Sequence, residues 1–467
     1  MATGNATAAG NPVNQGAPCP AAYFELASES KSYWIREYPL DLDEEFAKTP
    51  LPSNVDVVII GSGITGASAV HHLSETRPEL RVALLDARGL CTGATGRNGG
   101  HIGRPEMYNL AELAGNFGLQ EAVLIRQLGQ RNRRMMIDCI KELGAVEETD
   151  LNLSGTIVVF ETQAERTEFE NDLALAISCG HEPEAYIIDS ASDILKLVQI
   201  EESRAKFGAA YLEHSGTVYP RKLVRLLLRT ALGRMKNLSI HPYCPVTSVL
   251  FDSETPDSHA YTVSTGNGSI RSRSILHATN GYASHLLPSL RGEDGVYGCR
   301  AHMLAVQPNT LNDAKIQLKQ GFGYEDFQHW ILQRPNGGPF LYGLGHAETD
   351  HEYDDTVTLD PDHPVRKDML DFLEKTFPQY FQNLDISKDV TYDWTGIQGF
   401  TDKGASIVGR PTLERPGEFV SVGFNGEGMN RCFVCAIVVI DGLISYLEND
   451  KEWSPPDWFP NAWRRNL

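Results

Sequence analysis

The spacing of apolar residues changes abruptly after residue 54. Val55 to Ile60 is an apolar run rich in β-branched side chains, too short for a helix, and it reads as a buried parallel strand. Gly61-Ser62-Gly63-Ile64-Thr65-Gly66 follows, and small and apolar residues then recur at helical spacing through Leu73. A second apolar strand, Arg81 to Leu85, ends at Asp86, about 20 residues past the last glycine. Strand, glycine turn, helix, strand and terminal acid together read as a βαβ nucleotide site. Gly61 permits the tight turn, Gly63 lets backbone approach a pyrophosphate, and Gly66 lets helix and strand pack closely. The phosphates fall on the helix N-terminus at Ile64 and Thr65, and Asp86 with Ala87 falls on a ribose.

Beyond this unit the pattern predicts a long helix over Asn109–Leu143, a strand over Gly155–Phe160 and helices over Ala164–Ser178 and Arg221–Met235. Short strands follow at Ser239-Ile240, Val246–Phe251, Ala260–Ser264 and Ser274–Ala278. Further strands are predicted over Arg300–Val306, Trp330–Arg334 and Pro339–Leu344, and a helix over Arg366–Thr376. Val420 to Asn430, with an apolar helix to about Leu447, repeats the order strand, glycine turn, helix.

Composition narrows the class. The chain has 467 residues, 41% hydrophobic and 22% charged, enough for two or more globular domains. A net charge of −20 argues against nucleic acid or an anionic membrane as partner. The eight cysteines are scattered and form no metal-type set; Cys432 and Cys435 make one CxxC inside an apolar segment, read as core. A reducing, cytoplasmic setting is expected. Residues 1–31 read as a flexible tail without a signal-peptide core, and no apolar run approaches membrane-spanning length.

Directly after Asp86 comes a second glycine-rich stretch, Thr92-Gly93-Ala94-Thr95-Gly96-Arg97-Asn98-Gly99-Gly100-His101, small enough for backbone to lie against a flat cofactor. A flavin enzyme needs such a loop; a nicotinamide enzyme has no evident use for it. Here the chain resembles the D-amino-acid-oxidase/glycine-oxidase superfamily of FAD-dependent oxidoreductases, in the branch of sarcosine oxidase and γ-glutamylputrescine oxidoreductase. The likeness runs from the Ser32-Tyr33-Trp34 arm through Ala278-Thr279-Asn280-Gly281-Tyr282 and Trp394–Asp402 to Gly423–Asn430, in the family's order. It implies an α/β fold: a Rossmann-like FAD domain carrying an inserted α+β substrate domain built on an antiparallel sheet. An arm over 32–54 would precede the FAD domain, itself drawn from 55–108, 205–290 and 394–467. The substrate domain with its helical connection would come from 109–204 and 291–393. The implied activity is oxidation of a C–N bond of an amine or imino/amino acid by hydride transfer to the flavin. The imine is then hydrolysed, and oxygen or another acceptor takes the electrons. An oxidase is expected over a dehydrogenase. Alternatives are a FAD dehydrogenase, a tailoring oxidase of a larger amine metabolite, or a flavin-binding protein that serves a partner without turnover.

The resemblance assigns cofactor contacts to Gly61, Gly63, Ile64, Thr65, Gly66, Asp86, Ala87, Thr95, Gly96, Arg97, Asn98, Gly99 and Gly100 in the first half of the chain. Val246, Thr279, Asn280, Gly281, Gly396, Gly426, Glu427, Gly428 and Met429 supply the rest. The helix opened by Gly426–Asn430 would stabilise negative charge on the reduced ring, with Glu427 turned away. His101, Arg104, Trp394 and Asn430 are the catalytic candidates, with Arg300 beside them. His101 could border the ring, bind substrate or carry the cofactor covalently; Arg104 could hold an acidic group through its planar fork, and Trp394 would line the pocket. The sequence also departs from the sarcosine-oxidase pattern. Trp394–Asp402 has no Cys for covalent attachment of FAD, Gly338–His346 has no oxygen-activating Lys, and the carboxylate-binding Lys after the last glycine turn is replaced by Asn430. Gly63→Val should block pyrophosphate approach and leave a colourless protein, checked by the FAD released on acid treatment of wild type and variant.

Overall fold

The computed structural model describes residues 32–103, 109–254, 259–292, 294–307, 317–325, 328–345, 364–450 and 452–467. Its first sheet is organised by the strand Asn54–Ile60, which lies parallel between Gly268–His277 and Val82–Leu85. Outward on one side comes Leu238–His241; on the other come Glu418–Val422, Ile407–Gly409 and Arg464–Arg465. Tyr261–Thr265 and Val246–Phe251 branch off as an antiparallel extension. Val57–Ile60 is apolar without interruption because the two faces of this strand meet two cores. Val57 and Ile59 pack against the helices Ile64–Thr76, Pro220–Arg234 and Cys432–Glu448. Val58 and Ile60 pack against Val246, Tyr261 and Val263. Each such side chain contributes roughly 1.5–3 kcal/mol on burial.

The first turn depends on two glycines. Gly61 has φ +104°, and a β-carbon on Gly66 would stand 1.9 Å from the Gly61 carbonyl oxygen. The helix therefore starts hard against the strand end.

The second sheet runs Val390–Phe400, Tyr297–Val306, Phe340–Leu344, His329–Gln333, Gly321–Tyr324, Thr156–Val159, Ala209–Leu212, Ala185–Ile188. Its pairings are antiparallel except for Gly321–Tyr324 with Thr156–Val159, which is parallel. Side chains alternate strictly. Leu304, Ile331, Phe340 and Tyr342 share a core with the helix Pro364–Thr376, whereas Met303, Leu332, Leu341 and Trp394 face the first domain. Ala209–Leu212 and all of Val390–Phe400 belong to the second sheet, although the boundaries expected at 205 and 394 put residues 209–212 and 394–400 in the FAD domain. Residues 185–188 form a strand that the sequence pattern does not announce.

The predicted Asn109–Leu143 helix is two helices, Leu110–Phe117 and Leu119–Glu142, divided at Gly118 with φ +84°. The second helix carries the fully buried Asn132, whose Nδ2 donates to the Met429 carbonyl at 2.9 Å and whose Oδ1 accepts from the Val434 amide at 3.1 Å. One amide side chain thus caps the C-terminal helix and holds the turn before it. Asn132→Leu should lower the apparent thermal midpoint through a loss of about 1–3 kcal/mol for each partner left unsatisfied, checked by calorimetry of the two proteins.

Candidate active site

A cavity of about 490 Å³ lies between the two sheets. It is walled by both glycine-rich stretches, by residues 278–282 after the Gly268–His277 strand, and by the 424–430 turn. The second sheet closes it with Ala301, Met303, Gln328, Trp330, Gln398 and Phe400. The residues assigned to cofactor contact line it, except Gly66 and Gly96. Those two act by packing: a β-carbon on Gly96 would stand 2.0 Å from the Cys91 carbonyl oxygen, the counterpart of Gly66 against Gly61.

The Thr92–Gly100 loop has little side-chain bulk of its own, and donors from elsewhere hold its backbone. Three consecutive carbonyls each receive one. Ser32 Oγ donates to Gly96, Trp394 Nε1 donates to Arg97 at 2.8 Å, and Trp34 Nε1 donates to Asn98 at 2.6 Å. The Arg97 guanidinium, 2% exposed, returns the tie by donating to the carbonyls of Thr92 and Thr395, both at 2.8 Å. Trp394 is therefore corrected from pocket lining to brace. It is fully buried, is not among the residues that wall the cavity, and touches the site through the loop backbone.

Asp86 is pre-set at the nucleotide end. Its Oδ2 accepts from the Ser62 amide at 2.9 Å and from Ser62 Oγ at 2.5 Å, and its Oδ1 accepts from the Arg88 amide at 3.0 Å. A carboxylate has about four acceptor positions, so capacity remains for a hydroxyl. Asn280, at φ +43°, accepts from the amides of Gly423 and Phe424 at 3.0 and 3.4 Å and joins the central strands to the last glycine turn. That turn is a short 3₁₀ segment, Gly428–Asn430, and the α-helix begins at Cys432, later than expected. Glu427 lines the cavity, and its carboxylate is paired with Arg431 at 3.0 Å and Arg126 at 3.4 Å. Two guanidiniums thus offset the charge that would oppose an anionic ring.

His101 and Asn430 meet across Gly103. Both line the cavity, and Asn430 Oδ1 accepts from the Gly103 amide at 2.9 Å. Arg104 lies outside the described residues. Arg300 is on the wrong face: Ala301 and Met303 wall the cavity, and Arg300 has the opposite parity on the same strand. Sequence reasoning missed Gln328 with Trp330 and Gln398 with Phe400. The available signal was period-two spacing: Trp330 opens a strand already predicted, and Gln398 and Phe400 lie two and four residues beyond Gly396.

Burial pushes the His101 imidazole down to about 4, so it is neutral in the folded protein near pH 7. Above its ordinary value near 6.5 the folded and unfolded chains are both neutral at this residue. Between about 6.5 and 4 only the unfolded chain takes up the proton, so stability falls as pH falls through that window. His101→Gln should show a smaller loss of stability than wild type from pH 7 to pH 4.5, by a few kcal/mol at most, measured by denaturant unfolding at each pH.

Comparison with known proteins agrees with this architecture. The family described as DAO, FAD dependent oxidoreductase, matches residues 56–441. The chain is 26% identical over 397 residues to the probable oxidoreductase OrdL of Rhizobium meliloti, covering 84% of this chain and 83% of that one. It is 24% identical over 360 residues to γ-glutamylputrescine oxidoreductase of Escherichia coli, covering 73% of each. Among solved structures, glycine oxidase from Geobacillus kaustophilus superposes with a TM-score of 0.67 at 19% identity, over 89% of this chain and all of that one. Two glycine turns facing one cavity beneath a second sheet, on a chain that the family matches over most of its length, place this protein in the DAO family of FAD-dependent oxidoreductases.

Proposed function

We propose that this enzyme oxidises amines whose acid group, where there is one, lies away from the reacting carbon, and that oxygen serves as the final electron acceptor. The coarser activity is that of its family, a FAD-dependent oxidoreductase acting on C–N bonds of amines or amino acids. The observation that carries the narrower reading is the distribution of cations. Among the described lining residues, the Lys and Arg side chains are Arg88, beside Asp86 at the nucleotide end, and Arg97, tied to two backbone carbonyls. The position after the last glycine turn is an amide, Asn430, already engaged with the Gly103 backbone. A carboxylate buried without a cation costs several kcal/mol, so an α-amino acid is a poor match. Arg104 follows Gly103 directly and is proposed to hold an anionic or strongly polar group more remote from the reacting carbon.

The residues present suit FAD. At Gly63 a β-carbon would meet only the Thr95 side chain, so the rest of its surroundings opens to the cavity, and the helix starting at Ile64 has a glycine at its N-cap, with Thr95 Oγ1 accepting from the Ile64 amide at 3.0 Å. Gly61 to Thr65 and Asp86 would hold the phosphates and ribose, and the Thr92–Gly100 loop with the 426–430 turn would hold the ring. When bound, FAD supplies the two-electron acceptor for a hydride from the carbon next to nitrogen. The protein's part is to exclude water with Met303 and Trp330, to orient the amine with the neutral His101, and to hold Glu427 in its ion pairs. A hydride leaves only a neutral amine readily, and His101 is too weak a base to take the ammonium proton, so the substrate must deprotonate in solution or on entry.

Anaerobic mixing with a panel of amines and amino acids tests this. The flavin should bleach faster with amines than with sarcosine, proline or D-amino acids, and equal rates with any of these three would overturn the preference. His101→Ala should lower the limiting rate of bleaching about tenfold or more with FAD content preserved, and Arg104→Ala should act mainly on apparent affinity. The rate of bleaching in wild type should rise with pH along the titration of the substrate amine. Reoxidation by air within seconds would support oxygen as the acceptor.

A further inference from the structure

Trp330 is fixed in place by close packing. The edge of its indole sits in a slot made by two glycines from different parts of the fold. A β-carbon on Gly343, on the neighbouring strand, would stand 1.9 Å from Trp330 Nε1 and 2.4 Å from Met303 Sδ. A β-carbon on Gly99, in the cofactor loop, would stand 2.6 Å from Trp330 Cδ1 and 2.9 Å from Nε1. Any larger residue at either position would drive the ring out, so the slot fixes the indole between the loop and the substrate sheet. The ring lines the cavity, and its N–H donates to no described residue. Gln328, two residues earlier on the same face, and Gln398, across the sheet, line the cavity as well, and their side-chain amides have no hydrogen-bond partner among the described residues. A fixed donor and two uncommitted amides therefore wall the cavity on the sheet side, and the described part of that wall carries no formal charge.

We infer that Trp330 is a specificity-determining residue, whose indole N–H donates to a neutral hydrogen-bond acceptor on the non-reacting arm of the amine. This rests on the proposed amine oxidation and extends it to a substrate class: amines whose arm ends in an uncharged polar group such as an amide, in preference to a hydrocarbon. A donor fixed in a partly desolvated wall discriminates because a ligand without an acceptor leaves it unpaired.

The test uses the oxidised holoenzyme under argon and three secondary amines of one shape. These are γ-(methylamino)butyramide, its carboxylate analogue γ-(methylamino)butyrate, and the hydrocarbon in which isopropyl replaces the carboxamide. Binding is read from perturbation of the flavin spectrum and turnover from its bleaching. The amide should bind about three- to tenfold more tightly than the hydrocarbon, the effect of one neutral hydrogen bond. Trp330→Phe, which keeps an aromatic ring and loses the N–H, should bring the amide-to-hydrocarbon ratio close to one with FAD content and thermal midpoint unchanged, and Gly343→Ala should do the same by displacing the indole. An unchanged ratio in Trp330→Phe, no binding by any of the three, or loss of FAD from Trp330→Phe would each overturn the inference. Binding in the expected order without bleaching would overturn amine oxidation and leave the assignment of Trp330 standing.

Discussion

A loop that must lie flat against a cofactor cannot carry the side chains that would hold it in place. The Thr92–Gly100 segment, proposed to hold the flavin ring, meets this constraint by giving up its carbonyls at Gly96, Arg97 and Asn98 to donors from the N-terminal arm and the Val390–Phe400 strand. Charge-neutral hydrogen bonds of this kind contribute about 1 kcal/mol each, but leaving a buried carbonyl unpaired costs more, so their main effect is to exclude other loop conformations. Arg97 completes the arrangement by closing the loop on its own start at Thr92 and on Thr395. Most of the cavity takes its shape from this loop: His101 and Gly103 follow it, Trp330 packs on Gly99, and Asn430 reaches it through Gly103.

The second constraint is electrostatic. A carboxylate in the last glycine turn would be unfavourable beside a ring that gains negative charge, and the turn contains one at Glu427. Pairing with Arg126 and Arg431 permits it, and Asn132 keeps the backbone on either side fixed to the same long helix that supplies Arg126. The site therefore depends on a helix of the inserted region as much as on the nucleotide-binding domain.

The βαβ unit was legible because its signals are local: an apolar run of strand length, glycines at fixed offsets and an acid at the next strand end. The second sheet was legible only in part. Val390–Phe400 lines the cavity with Gly396, Ile397, Gln398 and Phe400, so the resemblance could bring Trp394 to the right segment while its distance from the cavity along that segment could not be read. Arg300 fell on the opposite face because resemblance fixes a strand more surely than its register, and a shift of one residue reverses the side chain. Gly118 divides a helix whose apolar periodicity continues on both sides, so pattern alone joined the halves. Asn132 was invisible, since a single polar residue in an amphipathic helix gives no sign that its partners lie about 300 residues away.

The same three carbonyl braces bear on how the chain matures. Two of them join residues 64 apart, and the third joins Trp394 to a residue 297 positions earlier. The first sheet is likewise incomplete until Glu418–Val422 docks beside Gly268–His277. Contacts this remote in sequence carry a large loop-closure cost and form after local ones. During synthesis the early βαβ unit can assemble with its glycine loop still unfastened, and only when nearly the whole chain has emerged does that loop acquire its final shape. A polypeptide cut before Trp394 would retain the nucleotide-binding motif without the donor that holds the Arg97 carbonyl of its second loop.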